Sequence, residues 1–371
     1  MDSRKELTAE GSRGAPERGE RLSPPAHRVV ELTSPPSPAN AQPITCWIAA
    51  DGERVAQELF AEPSLLASWG WKLVAVGAER RSMASPIAER WAAADTASIR
   101  ELARGGARTH LLLGSGDIGD ADLDALLEGE GTVLSSVPRP ATATDACRLG
   151  ERIERLRVVP SFRWSEAIGV ARPLIDEFLS HGPLAAIALH GREGDATEAG
   201  RRGSSAIDAL LLDVADLALE FLTGVESIAA IARFRDPASD VAALSAIGRS
   251  SEGQLVTFDL ADVGGWERRI EFLGPAGRLV LSDAIAVHTD RQGAEVERMS
   301  FAGPTDRVSA VVESLRTLAR ARDSATLRAI AGREDRRRLI SRLALADATR
   351  LSARTGNAES PASVEELAAR P

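Results

Sequence analysis

Residues 44–78 read ITCWIAADGERVAQELFAEPSLLASWGWKLVAVGA, and this stretch sets the fold of the first half of the chain. Its first seven residues form a short apolar run typical of a buried strand. Residues 53–69 have the amphipathic spacing of a helix, and residues 71–78 form a second apolar run. A strand, a helix and a strand in this order predict a right-handed crossover between two parallel strands.

The same alternation continues toward residue 137. Strands are predicted at THLLLG (109–114) and TVLSSV (132–137), and helices at SPIAERWAA (85–93), TASIRELARGG (96–106) and DADLDALLEGEG (120–131). Alternating strands and helices are typical of a doubly wound parallel sheet. We therefore predict a Rossmann-like domain over residues 43–160.

The pattern changes after residue 160. Long helices are predicted at SEAIGVARPLIDEFLSHG (165–182) and SAIDALLLDVADLALEFLTG (205–224), followed by strand-like runs separated by Gly and Asp and then by two more helices. This order favours a mainly antiparallel sheet packed by helices, so residues 161–356 are predicted to form an α+β domain. Residues 1–42, rich in Pro, Gly, Ser and charge, are predicted to be a disordered tail, and residues 357–371 a C-terminal tail.

Composition limits the partners and the location of the protein. The net charge of -9 argues against a nucleic-acid partner and against an anionic membrane surface, since both are bound by clustered positive charge. Cys46 and Cys147 are the two cysteines, which gives neither a disulfide framework nor a metal or redox motif. We expect a cytoplasmic protein without a metal site.

The residue types available for proton transfer are few. The sequence has no tyrosine, and its two lysines are Lys5 and Lys72. Arginine does not release its proton near neutral pH. Acid or base chemistry would therefore use one of the five histidines, Lys72 or a carboxylate.

A glycine pattern in the sequence suggests a nucleotide site. Gly114, Gly116 and Gly119 spell G-x-G-x-x-G after an apolar run. In a doubly wound domain, however, the phosphate-binding turn follows the first strand. That turn reads AADGERVA here, and its glycine positions hold Ala50, Gly52 and Val55. We assign cofactor phosphate binding to Ala50 and Gly52.

Other cofactor contacts are predicted from their places at strand ends. Gly114, Ser115 and Gly116 remain candidates because they follow a strand at the edge where such sheets bind ligands. At the end of the second strand, Glu79 is a candidate for the adenosine ribose, and Arg80 is a candidate for a 2′-phosphate. Exposed loop charges are an equally good interpretation of both residues.

Four stretches carry a resemblance to a known family: WKLVAVGAERR (71–81), GEGTVLSSVPRPAT (129–142), VVPSFRWSEAI (158–168) and LLLDVADLALEFLTG (210–224). In order and spacing, the chain resembles the glucose-fructose oxidoreductase and inositol dehydrogenase (Gfo/Idh/MocA-type) family from about residue 45 to 356. The resemblance implies NAD or NADP as cofactor, a sugar-like or polyol substrate, and a homo-oligomer. It also adds Pro138 to the cofactor-binding candidates.

The chain departs from the family at its two catalytic motifs. The family's Glu-Lys-Pro motif reads Ser136, Val137 and Pro138 here, and its helical histidine falls on Asp213 or Val214. The candidate catalytic residues are therefore the carboxylates Asp213 and Asp216, which lie on one helix face with Glu220. A solvated polar stripe is the alternative, slightly favoured interpretation of that face.

Two functions remain open from the sequence. The first is an NAD(P)-dependent oxidoreductase that moves hydride to or from a sugar-like substrate. The second is a non-catalytic relative that keeps the two-domain shell to bind a ligand or a partner.

Overall fold

The computed structural model describes residues 41–114, 118–128, 131–193, 204–234, 241–320 and 336–370. The predicted disordered tail, residues 1–42, therefore lies outside the described residues apart from its last two. Ser115 and Gly116, two of the cofactor candidates, also lie outside them.

The first sheet has six parallel strands in the order β3-β2-β1-β4-β5-β6. They are β1 (Gln42–Ile48), β2 (Trp71–Ala78), β3 (Ala94–Thr96), β4 (Thr109–Leu113), β5 (Thr132–Ser135) and β6 (Leu156–Val158). From β1 the chain builds outward to β3 and then returns to place β4 on the other side of β1. The strand order therefore switches between β1 and β4, where such sheets bind ligands at their carboxyl edge.

Short helices connect these strands. They are α1 (Glu53–Leu59), α2 (Pro63–Ser68), α3 (Arg81–Trp91), α4 (Ile99–Arg104), α5 (Asp120–Glu128) and α6 (Ala143–Leu149). The sequence predicts one helix over residues 53–69, but the structure has two. Pro63 begins the second helix because proline lacks the N–H that a helix interior needs.

The second sheet has eight strands in the order β14-β13-β12-β11-β7-β10-β9-β8. They are β7 (Ala186–Arg192), β8 (Val225–Phe234), β9 (Val241–Ser250), β10 (Leu255–Ala261), β11 (Glu267–Gly274), β12 (Gly277–Ser282), β13 (Ile285–Thr289) and β14 (Glu295–Ser300). β7 and β10 pair in parallel, and the other neighbours pair antiparallel. The predicted fold class, a Rossmann-like sheet followed by a mainly antiparallel α+β domain, is confirmed.

Two long helices cover the inner face of the second sheet. Buried side chains of α7 (Glu166–Ser180) and α8 (Ser204–Phe221) pack against alternate residues of the strands. Phe178 and Phe221 both contact the ring of Phe272 on β11. The apolar half of α8 therefore belongs to the core, as its sequence indicates.

The last helices of the chain return to the first sheet. Leu315 of α9 (Arg307–Arg320) joins the apolar cluster that holds Ile44, on one face of the parallel strands. Leu343 of α10 (Arg336–Thr355) joins the cluster that holds Val133, on the other face. Helices from the C-terminal third of the chain thus complete, on both faces of the parallel sheet, the apolar clusters that α1 to α6 begin.

The segment that the sequence assigns to a C-terminal tail contains packed structure. Glu359 pairs with Ile228 on β8 through backbone hydrogen bonds in both directions, each 2.9 Å long. Helix α11 (Pro361–Ala368) follows, with Pro361 and Ala368 buried. No helix within the described ranges is long and apolar enough to cross a bilayer.

Gly52, at the end of the turn after β1, makes the tightest contact between the turn and the neighbouring strand. A Cβ atom at this position would lie 2.2 Å from the carbonyl oxygen of Leu113 on β4. Because the neighbouring atoms belong to the backbone, they cannot move aside without a cost in free energy.

We predict that Gly52→Ala lowers the free energy of unfolding by about 1–3 kcal/mol. Denaturant unfolding followed by tryptophan fluorescence measures the change. Gly119→Ala is the matched control, since a Cβ there meets open space. Equal stability of the two variants would contradict the contact.

Candidate functional site

The turn after β1 is hydrogen-bonded to the end of β4. The N–H of Ala49 donates to the carbonyl of Leu113 at 2.8 Å. Gly114 adopts a φ of 91°, and a Cβ there would lie 2.4 Å from a carboxylate oxygen of Asp51. Two of the three predicted cofactor glycines, Gly52 and Gly114, therefore allow close packing of the protein on itself.

Acidic side chains surround this turn. Glu79, at the end of β2, accepts the N–H of Ala50 at 2.9 Å. Arg139 comes from the loop after β5, where burial lowers the pKa of its guanidinium and the carboxylates of Asp51 and Glu79 partly oppose the shift. Arg80, the predicted partner of a 2′-phosphate, is exposed immediately before α3. The structure thus brings Ala50, Glu79 and Arg139 together.

These residues do not fit the pyrophosphate of a dinucleotide. A pyrophosphate would add negative charge beside the carboxylate of Asp51 in the turn, whereas Glu79 at the end of β2 stands at the position predicted for the ribose. The acids Asp51 and Glu53 stand at the N-terminus of α1, where they offset the helix dipole that would otherwise attract phosphate. In addition, α1 has only seven residues.

Pro138 lines a crevice to which Arg139 also contributes. A cavity of about 150 Å³ opens between α5 and α6, lined on one side by Pro138, Arg139 and Pro140. Leu123 of α5 and Leu149 of α6 also line it. This crevice faces the helices of the first sheet and does not include Asp213 or Asp216.

The carboxylates of α8 do not form the solvated stripe that the sequence favours. Asp216 is only 1% exposed and lies among three arginines, with Arg163 at 3.1 Å, Arg338 at 3.6 Å and Arg342 at 3.7 Å. Burial acts to raise the pKa of Asp216, but the three guanidiniums together hold it below its usual range. The expectation of a solvated face is wrong because α10 supplies arginines that cover it.

Asp213 lies one turn earlier on α8 and points toward the connection between the two sheets. One of its oxygens accepts the N–H of Phe162 at 2.8 Å. Burial raises the pKa of Asp213 to about 6, although nearby Arg268 and the Phe162 hydrogen bond act to lower it. Asp213 and Asp216 are therefore neighbours on one helix with different surroundings.

Arg268 is the buried cation of this region. It lies on β11, where its Nε and Nη2 donate to the two oxygens of Asp283 at 3.0 and 2.6 Å. Its guanidinium stacks over the rings of Phe162 and Trp266, 4.9 and 5.1 Å from their centroids. Its third nitrogen, Nη1, is buried and has no hydrogen-bond partner among the described residues.

Arg307 joins the two sheets at the same place. From the start of α9, its Nη1 donates to both carboxylate oxygens of Glu193 at 2.8 Å, and its Nη2 donates to the carbonyl of Ser136 at 2.7 Å. Glu193 follows β7, and Ser136 follows β5. Arg307 therefore spans from the second sheet to the carboxyl edge of the first.

These groups enclose a small crevice. It is lined by Pro160, Glu193, Ala209, Leu210, Asp213, Trp266, Arg268 and Arg307. Its volume is about 10 Å³, which is the space of a single water molecule. We call it the Arg268 crevice.

Sequence reasoning identified Asp213 in this crevice but missed Glu193, Trp266, Arg268 and Arg307. One signal was available for Arg268. In the strand ERRIEFLG, residues 268, 270 and 272 alternate toward the core, and the first of them is charged. A charged residue at an inward position of a strand indicates a buried partner.

Comparison with solved structures supports the fold. No family model and no curated protein match the chain. Several solved structures match it over most of its length. A myo-inositol dehydrogenase from Lactobacillus casei, in complex with NAD(H) and myo-inositol, has a TM-score of 0.65 and 13% identity, covering 86% of this chain and 96% of that chain.

Two further solved structures resemble this chain with similar TM-scores. An oxidoreductase from Agrobacterium radiobacter, in complex with NAD+, L-tartaric acid and magnesium, has a TM-score of 0.67 and 15% identity, covering 86% of this chain and 98% of that chain. A myo-inositol dehydrogenase from Corynebacterium glutamicum has a TM-score of 0.63 and 19% identity over the same shares. These identities support the fold alone, and for the fold the predicted resemblance is confirmed.

The raised pKa of Asp213 predicts a pH dependence of stability. The folded state holds this proton more tightly than the unfolded chain, whose pKa is 3.8, so stability falls as pH rises from about 4 to about 6. Asp213→Asn keeps an acceptor for the Phe162 N–H and removes the charge. We expect the variant to gain about 2 kcal/mol over the native protein between about pH 4 and about pH 7.

Denaturant unfolding of both proteins at several pH values in this range measures the difference. Asp176→Asn, an exposed site on α7, is the control and leaves the slope unchanged. A difference between native protein and Asp213→Asn that does not vary with pH would contradict the raised pKa.

Proposed function

We propose that this chain, which has the fold of inositol-dehydrogenase-type oxidoreductases, binds a small molecule other than a nicotinamide nucleotide and does not transfer hydride. The observation that carries the proposal is the bridge of Arg307 from Glu193 to the carbonyl of Ser136. It crosses the carboxyl edge of the parallel sheet, where ligands bind in doubly wound folds. Beneath the bridge, the described residues leave about 10 Å³.

The residues at the family's catalytic positions support the same conclusion. Val137, at the position of the motif lysine, is a buried apolar residue. Val214 packs in the core, and Asp213 holds the backbone of Phe162. Lys72 lies near the amino end of β2, at the opposite edge of the sheet from the crevice.

An oxidoreductase is the second candidate, and one observation favours it. A carboxylate with a pKa of about 6 in a crevice, as in Asp213, is suited to act as a general base near neutral pH. NAD and NADP are the cofactors of this alternative, and the neighbours from Lactobacillus casei and Agrobacterium radiobacter contain NAD(H) and NAD+. In this alternative Asp213 takes the hydroxyl proton of the substrate.

Titration with NADH and NADPH separates the two candidates. We expect no saturable change in nicotinamide fluorescence and no thermal shift up to about 1 mM of either nucleotide, because carboxylates face the phosphate turn. The double variant Asp51→Asn/Glu79→Gln removes both charges and serves as the comparison. Saturable binding to the native protein would refute the proposed function.

We also propose that the protein forms a homodimer through the open face of its second sheet. Four large apolar side chains cross that face diagonally: Ile231, Ile247, Leu255 and Leu273, exposed by 80, 53, 47 and 39%. The strand registers place them on one side of the sheet. Apolar area of this kind is typical of an interface between copies.

Ile247→Glu places a charge in the middle of this stripe, and we expect it to convert a dimer to a monomer. Light scattering after size-exclusion chromatography measures the mass. Val296→Glu, at an exposed position on β14, is the matched control and leaves the mass unchanged. A native protein that elutes as a monomer would contradict the proposed interface.

A further inference from the structure

The carboxylate of Glu193 binds Arg307 at the edge of the Arg268 crevice. We propose that the Arg268 crevice binds a small hydroxy carboxylate, whose carboxylate displaces that of Glu193 from Arg307. The inference rests on the proposed ligand-binding function and names the chemical class of its ligand. In the ligand-free protein, Glu193 is an internal competitor for the same guanidinium.

The geometry around Arg307 allows such an exchange. Both oxygens of Glu193 contact a single nitrogen of Arg307 at 2.8 Å, and the second terminal nitrogen is used by the carbonyl of Ser136. The backbone of Glu193 is fixed separately, since its N–H donates to the carbonyl of Ala261 at 3.0 Å. The carboxylate can therefore swing away by side-chain rotation while the end of β7 stays in place.

Arg268 supplies a second donor to the same space. Its Nε and Nη2 are bound to Asp283, and its Nη1 lies on the other side of the planar guanidinium. The residue is 3% exposed and lines the crevice, and this Nη1 has no hydrogen-bond partner among the described residues. A buried donor without an acceptor is unfavourable, so the crevice is suited to an anionic acceptor atom.

Asp213 and Trp266 define the rest of the ligand. One oxygen of Asp213 holds the N–H of Phe162, which leaves the other to accept a hydrogen bond from a hydroxyl group in the crevice. The ring of Trp266 forms an apolar wall. In a ligand with a carboxylate next to a hydroxyl-bearing carbon, the carboxylate can bind the two arginines and the hydroxyl can donate to Asp213.

The volume of the crevice explains why Glu193 must leave. About 10 Å³ holds one water molecule and excludes an organic ligand. The displaced carboxylate vacates the space that the ligand carboxylate then fills. Binding therefore exchanges one anion for another on Arg307 and adds Arg268 as a new partner.

Calorimetric titration with sodium gluconate, glycolate and L-tartrate tests the inference on the full chain. Sorbitol is the uncharged control for gluconate. It has the same carbon chain, with a hydroxymethyl group in place of the carboxylate. We expect at least one of the three carboxylates to bind and sorbitol not to bind. Glu193→Gln removes the competing charge and tightens that binding about tenfold, and Arg307→Gln abolishes it.

Glu166→Gln is the matched control, because it breaks another Glu–Arg pair, with Arg316 at 3.2 Å, whose two residues do not line the crevice. We expect it to bind as the native protein does. Thermal unfolding checks that each variant folds, and Glu193→Gln, a partly exposed and nearly isosteric change, keeps the test valid if Arg307→Gln unfolds.

The inference is wrong if no carboxylate binds more tightly to Glu193→Gln than to the native protein. It is also wrong if sorbitol binds as well as gluconate, or if Glu166→Gln has the same effect as Glu193→Gln. No nucleotide is present in this titration. NADH binding would therefore refute the proposed function and leave the carboxylate result standing. Failure of every carboxylate to bind would refute the inference and leave the nucleotide result standing.

Discussion

A guanidinium buried between two sheets needs carboxylates around it, and Arg268 imposes this requirement on the centre of the molecule. Asp283 meets it through two short hydrogen bonds, and Glu313 and Asp213 lie nearby. The same acids hold the connection between the sheets, because Asp213 accepts the N–H of Phe162 and Glu313 that of Glu166. Neutralising one cation therefore also fixes the path of the backbone from the parallel sheet to the antiparallel one.

Most of the fold could be predicted from the sequence because periodicity reports which side of an element is buried. The runs that became β1, β2 and β4 are mainly apolar, as expected for strands covered on both faces, and the covering helices are amphipathic. Helix breaks were harder to place. Residues 53–69 read as one helix, but α1 ends at Leu59 and Pro63 begins a second helix.

The site was less accessible to the same reasoning because its members come from distant parts of the chain. Glu193, Arg268 and Arg307 share no local pattern, and the structure brings them together at the ends of three different elements. Asp216 was identified as a candidate from its helix face, but α10, more than 100 residues later, decides its surroundings by supplying Arg338 and Arg342. Charge pairing over such separations is a tertiary property that one sequence does not reveal.

The return of α9 and α10 to the first sheet affects how the protein is made. The strands of that sheet and the helices α1 to α6 that pack on them lie within the first 160 residues, but α9 and α10, which complete the two apolar clusters, follow residue 306. Domains commonly fold in the order of synthesis. Here Leu315 of α9 and Leu343 of α10 join the apolar clusters of the first sheet only after the end of the chain emerges, so the first sheet made is completed last.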